Sequence, residues 1–201
     1  MKTPPWVRLV ARTRGPARLT LIRLWARRLL LPDPPPLPTG IATGQHVLFV
    51  CHGNILRSAV AEALFARMAG LGLLPASAVA ASGGLHATEG KPADPRGINV
   101  AAELGLNLEG HRARRLTGPM VDTADLVVVM DRINEAELVS RYRQAATKTR
   151  LLGTFGDDGT PPEIPDPFMG DEEAVRQAFR RIDECLRRLA ALIRPLPGSP
   201  S

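Results

Sequence analysis

The stretch His46-Val47-Leu48-Phe49-Val50-Cys51-His52-Gly53-Asn54-Ile55-Leu56-Arg57-Ser58 decides the fold. Val47 to Val50 is a continuous apolar run rather than an alternating one, as expected of a strand covered on both faces. Ser58-Ala59-Val60-Ala61-Glu62-Ala63-Leu64 then opens a helix, so the residues between form a strand-to-helix loop, a place where unpaired helix N–H groups favour anions. A cysteine followed six residues later by an arginine lets the intervening backbone curl with its N–H groups inward, and Gly53 and Asn54 are the residues best able to take positive φ in that curl. Inward dipoles, the helix N-terminus and the Arg57 charge all favour a thiolate at Cys51. Such a sulfur can attack phosphorus in line while the planar Arg57 fork holds two equatorial oxygens. Ser58 is placed to donate a hydroxyl hydrogen bond to the sulfur. The spacing taken alone is a weak string, and a cysteine at a strand end is more often a small core residue.

Working outward, short apolar runs alternate with longer helical periodicities, the pattern of a parallel α/β sheet with crossover helices. Strands are expected at 46–51, 78–82, 125–130 and 149–153. Helices are expected at about 57–70, 94–105, 132–143 and 171–194. The first and third strands are the most continuously apolar and should lie at the centre of this four-stranded parallel sheet, flanked by helices, with the phosphate loop between the first strand and first helix. The last helix places Val175, Phe179, Ile182, Leu186, Leu189 and Ile193 on one face.

Charge divides the chain at the same point. Residues 1–45 hold 8 of the 26 Lys/Arg and 1 of the 20 Asp/Glu, so this segment carries +7 and the remainder −1. Nucleic-acid binding by the main part of the chain has no compositional support. Pro16 to Leu31 can form a short basic amphipathic helix, and Pro32-Asp33-Pro34-Pro35-Pro36-Leu37-Pro38 reads as a stiff linker. Residues 1–45 are thus expected to be a basic, proline-rich extension, disordered or partly helical, with contact to a membrane surface or a partner as the alternative. Its Arg-rich, acid-poor composition also superficially resembles an organelle transit peptide. Residues 46–195 are expected to be the functional domain and 196–201 a tail. Arginines interrupt any secretory or membrane-spanning run. Cys51 and Cys185 are too few for a disulfide framework or a zinc site, which points to a reducing, cytoplasmic compartment.

Cleaving a phosphate ester also requires a proton for the leaving oxygen. Ile164-Pro165-Asp166-Pro167-Phe168-Met169-Gly170 offers Asp166, held by two prolines among apolar neighbours expected to favour its protonated form; the plain alternative is a turn before the last helix. The loop at 51–58 and this acid segment 115 residues after Cys51 together resemble the low-molecular-weight protein tyrosine phosphatases of bacterial type. The resemblance covers about residues 46–194. It implies metal-free, cofactor-free phosphomonoester hydrolysis through a phosphocysteine, with phosphotyrosine in proteins as the expected substrate. Cys51 would be the nucleophile, Arg57 the clamp, and Asp166 the acid and then the base. His52, Gly53, Asn54, Ile55, Leu56, Arg57 and Ser58 would surround the phosphate. Gly110-His111-Arg112-Ala113-Arg114 resembles a family segment in which the histidine braces the loop, so His111 is expected to hydrogen-bond Asn54, with Ser58 and Asn54 in supporting roles. Asp131, at the end of a strand, is a further candidate on the same ground.

Several positions depart from the family's pattern. Leu56 stands where many members carry a second loop cysteine, and no cysteine between Cys51 and Cys185 could serve the relay of the related arsenate reductases. Ile55 stands where protein-arginine phosphatases tend to have threonine, which favours phosphotyrosine over phosphoarginine. A scaffold module that binds phosphate, or a phosphatase for phosphoarginine or a small metabolite, are the alternatives. The wall Leu85-His86-Ala87-Thr88-Glu89-Gly90 is small, and Phe168-Met169 replaces a pair of tyrosines. This looks like bacterial members that work with tyrosine kinases of polysaccharide export. His52 is expected to face solvent.

Overall fold

In the computed structural model, residues 15–20, 22–23 and 46–193 are described. The proline-rich run at 32–38 and the tail lie outside them, as do the 45/46 boundary and most of the expected N-terminal helix. Pro16 to Thr20, Ile22 and Arg23 are helical, with Leu19 and Ile22 exposed.

The chain runs β1 (His46–Cys51), α1 (Arg57–Gly70), β2 (Val79–Gly84), α2 (Pro95–Glu103), α3 (Gly118–Thr123), β3 (Leu126–Val129), α4 (Arg132–Arg141), β4 (Thr149–Leu151) and α5 (Glu172–Ile193). Short 3-10 turns occupy Arg143–Thr147, Leu152–Phe155 and Pro167–Met169. The four strands are parallel in the order β2-β1-β3-β4. The expected central strands are therefore central, and the crevice beyond the carboxyl ends of β1 and β3 is where such sheets build sites.

Alternate residues of the apolar runs go to opposite faces. Val47, Phe49 and Cys51 of β1 join Leu126 and Val128 of β3 in the core beneath α1, α2 and α5, with Phe49 and Phe65 edge to face at 5.7 Å. Leu48, Val50, Val127 and Val129 face a second core that takes in Leu138 of α4 and Val121 of α3. Covering both faces explains why these strands read as unbroken apolar runs.

Three expectations need correction. Helix α3 stands where no element is expected, because six residues with one buried side chain, Val121, are too short to show a period. Strand β4 stops at Leu151 instead of 153, since the chain turns where Gly153 lies directly against the backbone of Pro161 and Pro162. Strand β2 runs on to Gly84 rather than ending at Ser82, pairing Gly83 with Val50 and Gly84 with Cys51.

That last extension sets the position of the loop after β1. A Cβ at Gly84 would lie 2.9 Å from both the Asn54 nitrogen and the Gly53 carbonyl carbon, which are backbone atoms without room to yield. Gly84→Ala is expected to cost about 1–3 kcal/mol, as overpacking does, and to reduce activity by displacing the loop. Gly83→Ala should be milder, since its nearest obstacle is the flexible end of Met120 at 3.2 Å. Denaturant melts of the two variants check this, and equal losses would contradict it.

Candidate active site

Between β1 and α1 the backbone turns through residues 52–56, and its carbonyls point away from the turn's interior. The Cys51 and His52 carbonyls accept from Leu85 and His86 N–H at 3.0 and 2.8 Å. Those of Ile55 and Leu56 accept from Asp94 and Val60 N–H, both at 3.0 Å. The Asn54 carbonyl accepts from His111 Nε2 at 2.7 Å, which places the imidazole proton on that nitrogen. Because N–H and C=O of a peptide unit lie in one plane and point oppositely, carbonyls held outward turn the loop's N–H groups inward. The Asn54 N–H reaches Cys51 Sγ at 3.3 Å.

Asn54 is the post of this turn. At φ 53° it is the one non-glycine residue with positive φ among those described, whereas Gly53 takes no such angle. The conformation suits asparagine better than most residues, and burial is compensated by full hydrogen bonding. Its Nδ2 donates to Ser58 Oγ (2.9 Å) and Ser82 Oγ (2.8 Å), and its Oδ1 accepts from Arg114 N–H (2.8 Å). Ser82 Oγ in turn donates to Glu62 Oε2 at 2.5 Å, and the other edge of the Glu62 carboxylate meets Arg114 Nη2 at 2.7 Å. Ser58 Oγ stands 3.0 Å from Cys51 Sγ. A continuous polar chain thus runs from α1 and β2 to the sulfur.

Arg57 is 1% exposed, and its Nη1 donates to Asp131 Oδ2 (2.7 Å) and the Ile164 carbonyl (3.0 Å), while Nη2 meets Asp166 Oδ2 at 2.7 Å. Burial opposes the guanidinium charge, but Cys51, Asp131 and Asp166 together outweigh it and hold its pKa above the ordinary arginine value. Asp131 divides its carboxylate: Oδ2 to Arg57, and Oδ1 to the Asn134 N–H as the N-cap of α4.

The pocket, about 240 Å³, is lined by Cys51, the loop, Arg57, Asp166 and Phe168, with His86, Thr88 and Lys91 on the opposite wall. Asn54 and Ser58, expected around the phosphate, are not among the residues that line the pocket. Asp166 is not enclosed by apolar neighbours as expected; its side chain is 44% exposed and ion-paired to Arg57, with Oδ1 capping the turn that follows. His52 is exposed, as expected, but its ring stacks on that of His86 at 4.5 Å, so the wall carries an imidazole. Cys185 is buried in α5, where burial pushes its thiol up. The sequence alone does not single out Glu62, Lys91 or Arg96: Glu62, one helical turn past Ser58, has a spacing signal, and the other two have none.

This fold and site are those of a cysteine-based phosphomonoester hydrolase. The sequence model described as low molecular weight phosphotyrosine protein phosphatase matches residues 46–195, and the chain belongs to that family. It is 36% identical over 150 residues to the probable low molecular weight protein-tyrosine-phosphatase EpsP of Ralstonia nicotianae, covering 73% of this chain and 97% of that protein. Among solved structures it is similar to the YwlE arginine phosphatase of Geobacillus stearothermophilus, with TM-score 0.67 and 33% identity over 74% of this chain and 92% of that one. It is also similar to Vibrio vulnificus Wzb in complex with benzylphosphonate, with TM-score 0.65 and 30% identity over 74% and 99%.

The two carboxylates on Arg57 differ in what they support. Asp131→Ala is expected to destabilise the protein by about 3–5 kcal/mol, the cost of leaving one member of a buried ion pair behind. Asp166→Ala, at an exposed pair, should cost under about 1 kcal/mol. Chemical denaturation compares them, and equal losses would contradict a structural role for Asp131.

Proposed function

We propose that the chain removes phosphate from tyrosine in proteins, with Cys51 as nucleophile, Arg57 as clamp and Asp166 as proton carrier. The observation that carries this reading is the outward pinning of the loop carbonyls, which directs N–H groups, a thiol and a buried guanidinium at one point. Cys51 Sγ attacks phosphorus, the bond from phosphorus to the tyrosyl oxygen breaks, and the Asp166 proton goes to that oxygen. Water then attacks the phosphocysteine, Asp166 takes a proton from it, the S–P bond breaks and phosphate leaves. Ser58 steadies the sulfur when it departs as thiolate. His111 and Asn54 hold the loop's shape in both steps, so no rearrangement is needed as charge moves.

Phosphate oxygens would compete with Asp166 for the Nη2 edge of Arg57. Binding of the phosphate then frees the carboxylate, which takes a proton from solvent and turns to the leaving oxygen, so the ion pair is compatible with an acid role.

The pocket wall favours an aryl group over a guanidinium. Ile55 and the half-exposed ring of Phe168 present apolar surface, Lys91 presents a cation, and Asp166 is the one carboxylate among the lining residues. A phosphoarginine would bring positive charge to Lys91 and find no other anion to meet it. A protein tyrosine kinase bearing phosphotyrosine is the partner class this reading favours. Two free cysteines fit work in the reducing cytoplasm. Among the described residues no helix is long and apolar enough to cross a membrane.

The test is kcat/KM on matched phosphotyrosyl and phosphoarginyl peptides with a chelator present. The tyrosyl peptide should be preferred by about tenfold or more, the scale on which one pocket contact discriminates, and Cys51→Ser should be inactive on both. A preference for phosphoarginine would overturn the substrate assignment. Turnover by Cys51→Ser would overturn the mechanism.

A further inference from the structure

The turn that carries Asp166 has little of its own to hold it. Ile164 anchors it upstream, through its N–H to the Met130 carbonyl at 2.7 Å and its carbonyl to Arg57. Downstream, Pro167 is buried, but Phe168, Met169 and Gly170 are exposed, Met169 at 90%. When a phosphate engages Arg57, the ion pair from Asp166 to Arg57 is no longer available to fix the carboxylate. Something else must set where the proton is delivered.

Arg96, in the first turn of α2, is bonded to both sides of this problem. One side of its guanidinium meets the Asp94 carboxylate in a fork, Nε to Oδ1 at 2.9 Å and Nη2 to Oδ2 at 2.7 Å. This bond is the main cause holding the Asp94 carboxyl below its usual range. Asp94 is itself fixed: its Oδ1 caps α2 by accepting the Arg96 N–H at 3.0 Å, and its own N–H donates to the Ile55 carbonyl of the phosphate loop at 3.0 Å. The other side of the guanidinium donates from Nη2 to the Phe168 carbonyl at 3.1 Å and from Nη1 to the Gly170 carbonyl. Phe168 and Gly170 bracket the end of the 3-10 turn whose N-cap is Asp166.

We propose that Arg96 is the positioning residue of the acid step: through Asp94 it ties the Asp166 turn to the phosphate loop, so that proton donor and nucleophile keep one relative geometry while Arg57 is occupied by substrate. It touches neither phosphate nor leaving group. Its planar fork serves a carboxylate and two carbonyls at once, which a lysine's point charge cannot do. The inference rests on reading Asp166 as the general acid.

The experiment measures kcat/KM, which reports phosphocysteine formation and is blind to the later hydrolysis, for an alkyl or phenyl phosphate and for a dinitrophenyl phosphate that leaves without protonation. Arg96→Ala and Arg96→Lys are made alone and together with Asp166→Asn, and vanadate affinity and thermal melting report on fold and loop. Arg96→Ala is expected to lower kcat/KM on the poor leaving group by roughly 10- to 100-fold, the scale of a misplaced catalytic group. It should change the dinitrophenyl substrate and vanadate binding less than about twofold and have no further effect in Asp166→Asn; Arg96→Lys should behave alike, and it carries the test if the alanine variant does not fold. Arg176→Ala, which removes the contact between Glu103 of α2 and α5 without touching the turn, should show no leaving-group dependence. Equal losses on both substrates, or a loss that persists in Asp166→Asn, would make Arg96 merely structural and overturn the proposal. If Asp166→Asn alone shows no leaving-group dependence, the reading of Asp166 fails first, and the two failures are told apart.

Discussion

A guanidinium with almost no solvent contact must be matched by anions, and the rest of this site follows from how Arg57 meets that demand. Asp131 supplies a permanent partner from the end of β3 and simultaneously caps α4, so the charge balance is built into the junction of strand and helix. The Ile164 carbonyl takes another donor. One guanidinium edge is left facing the pocket, where Asp166 meets it at the surface. On the proposed reading, Asp166 is the anionic partner with which a substrate phosphate exchanges at this buried cation. The desolvation cost is met at folding rather than at each turnover.

The loop itself is kept open by contacts from outside it. Its carbonyls are held by β2's exit, by the N-terminus of α2, by His111 and by α1, so four separate segments must be in place before the N–H groups converge. Asn54 links this arrangement to the sulfur through Ser58 and to the sheet through Ser82. Gly84 allows β2 to approach closely enough for these bonds to form. The pocket's rigidity is therefore a property of the whole α/β scaffold, and substitutions far from the phosphate position can reach it through the carbonyl network.

The parts legible in the sequence were those with a local cause. A continuous apolar run marks β1 and β3 because both their faces are covered, and an amphipathic stripe marks α5. Cys51, Arg57 and Ser58 could be placed together because they sit on one turn. Asp166 is legible through the resemblance of its segment to the family's acid loop and its place 115 residues after Cys51, since Asp-Pro alone favours a turn, whereas its ion pair with Arg57 is not, because that contact joins residues over a hundred positions apart. Ser82 and Arg96 act through partners supplied by the fold, and nothing in their own neighbourhoods distinguishes them from ordinary polar residues. Helix α3 escaped because six residues do not make a period, and the His52–His86 stack because two imidazoles on separate loops meet only once β2 is laid beside β1.

If the loop and Arg57 serve to let the Cys51 sulfur carry a phosphoryl group, a covalent phosphocysteine must form in every turnover. Rapid acid-free quenching during turnover of an aryl phosphate, followed by peptide mapping by mass spectrometry, addresses this directly. A phosphoryl group is expected on the peptide containing Cys51, appearing and disappearing at rates that match turnover. Sustained turnover with no phosphorylated enzyme, or with the phosphoryl group on any other residue, would contradict it.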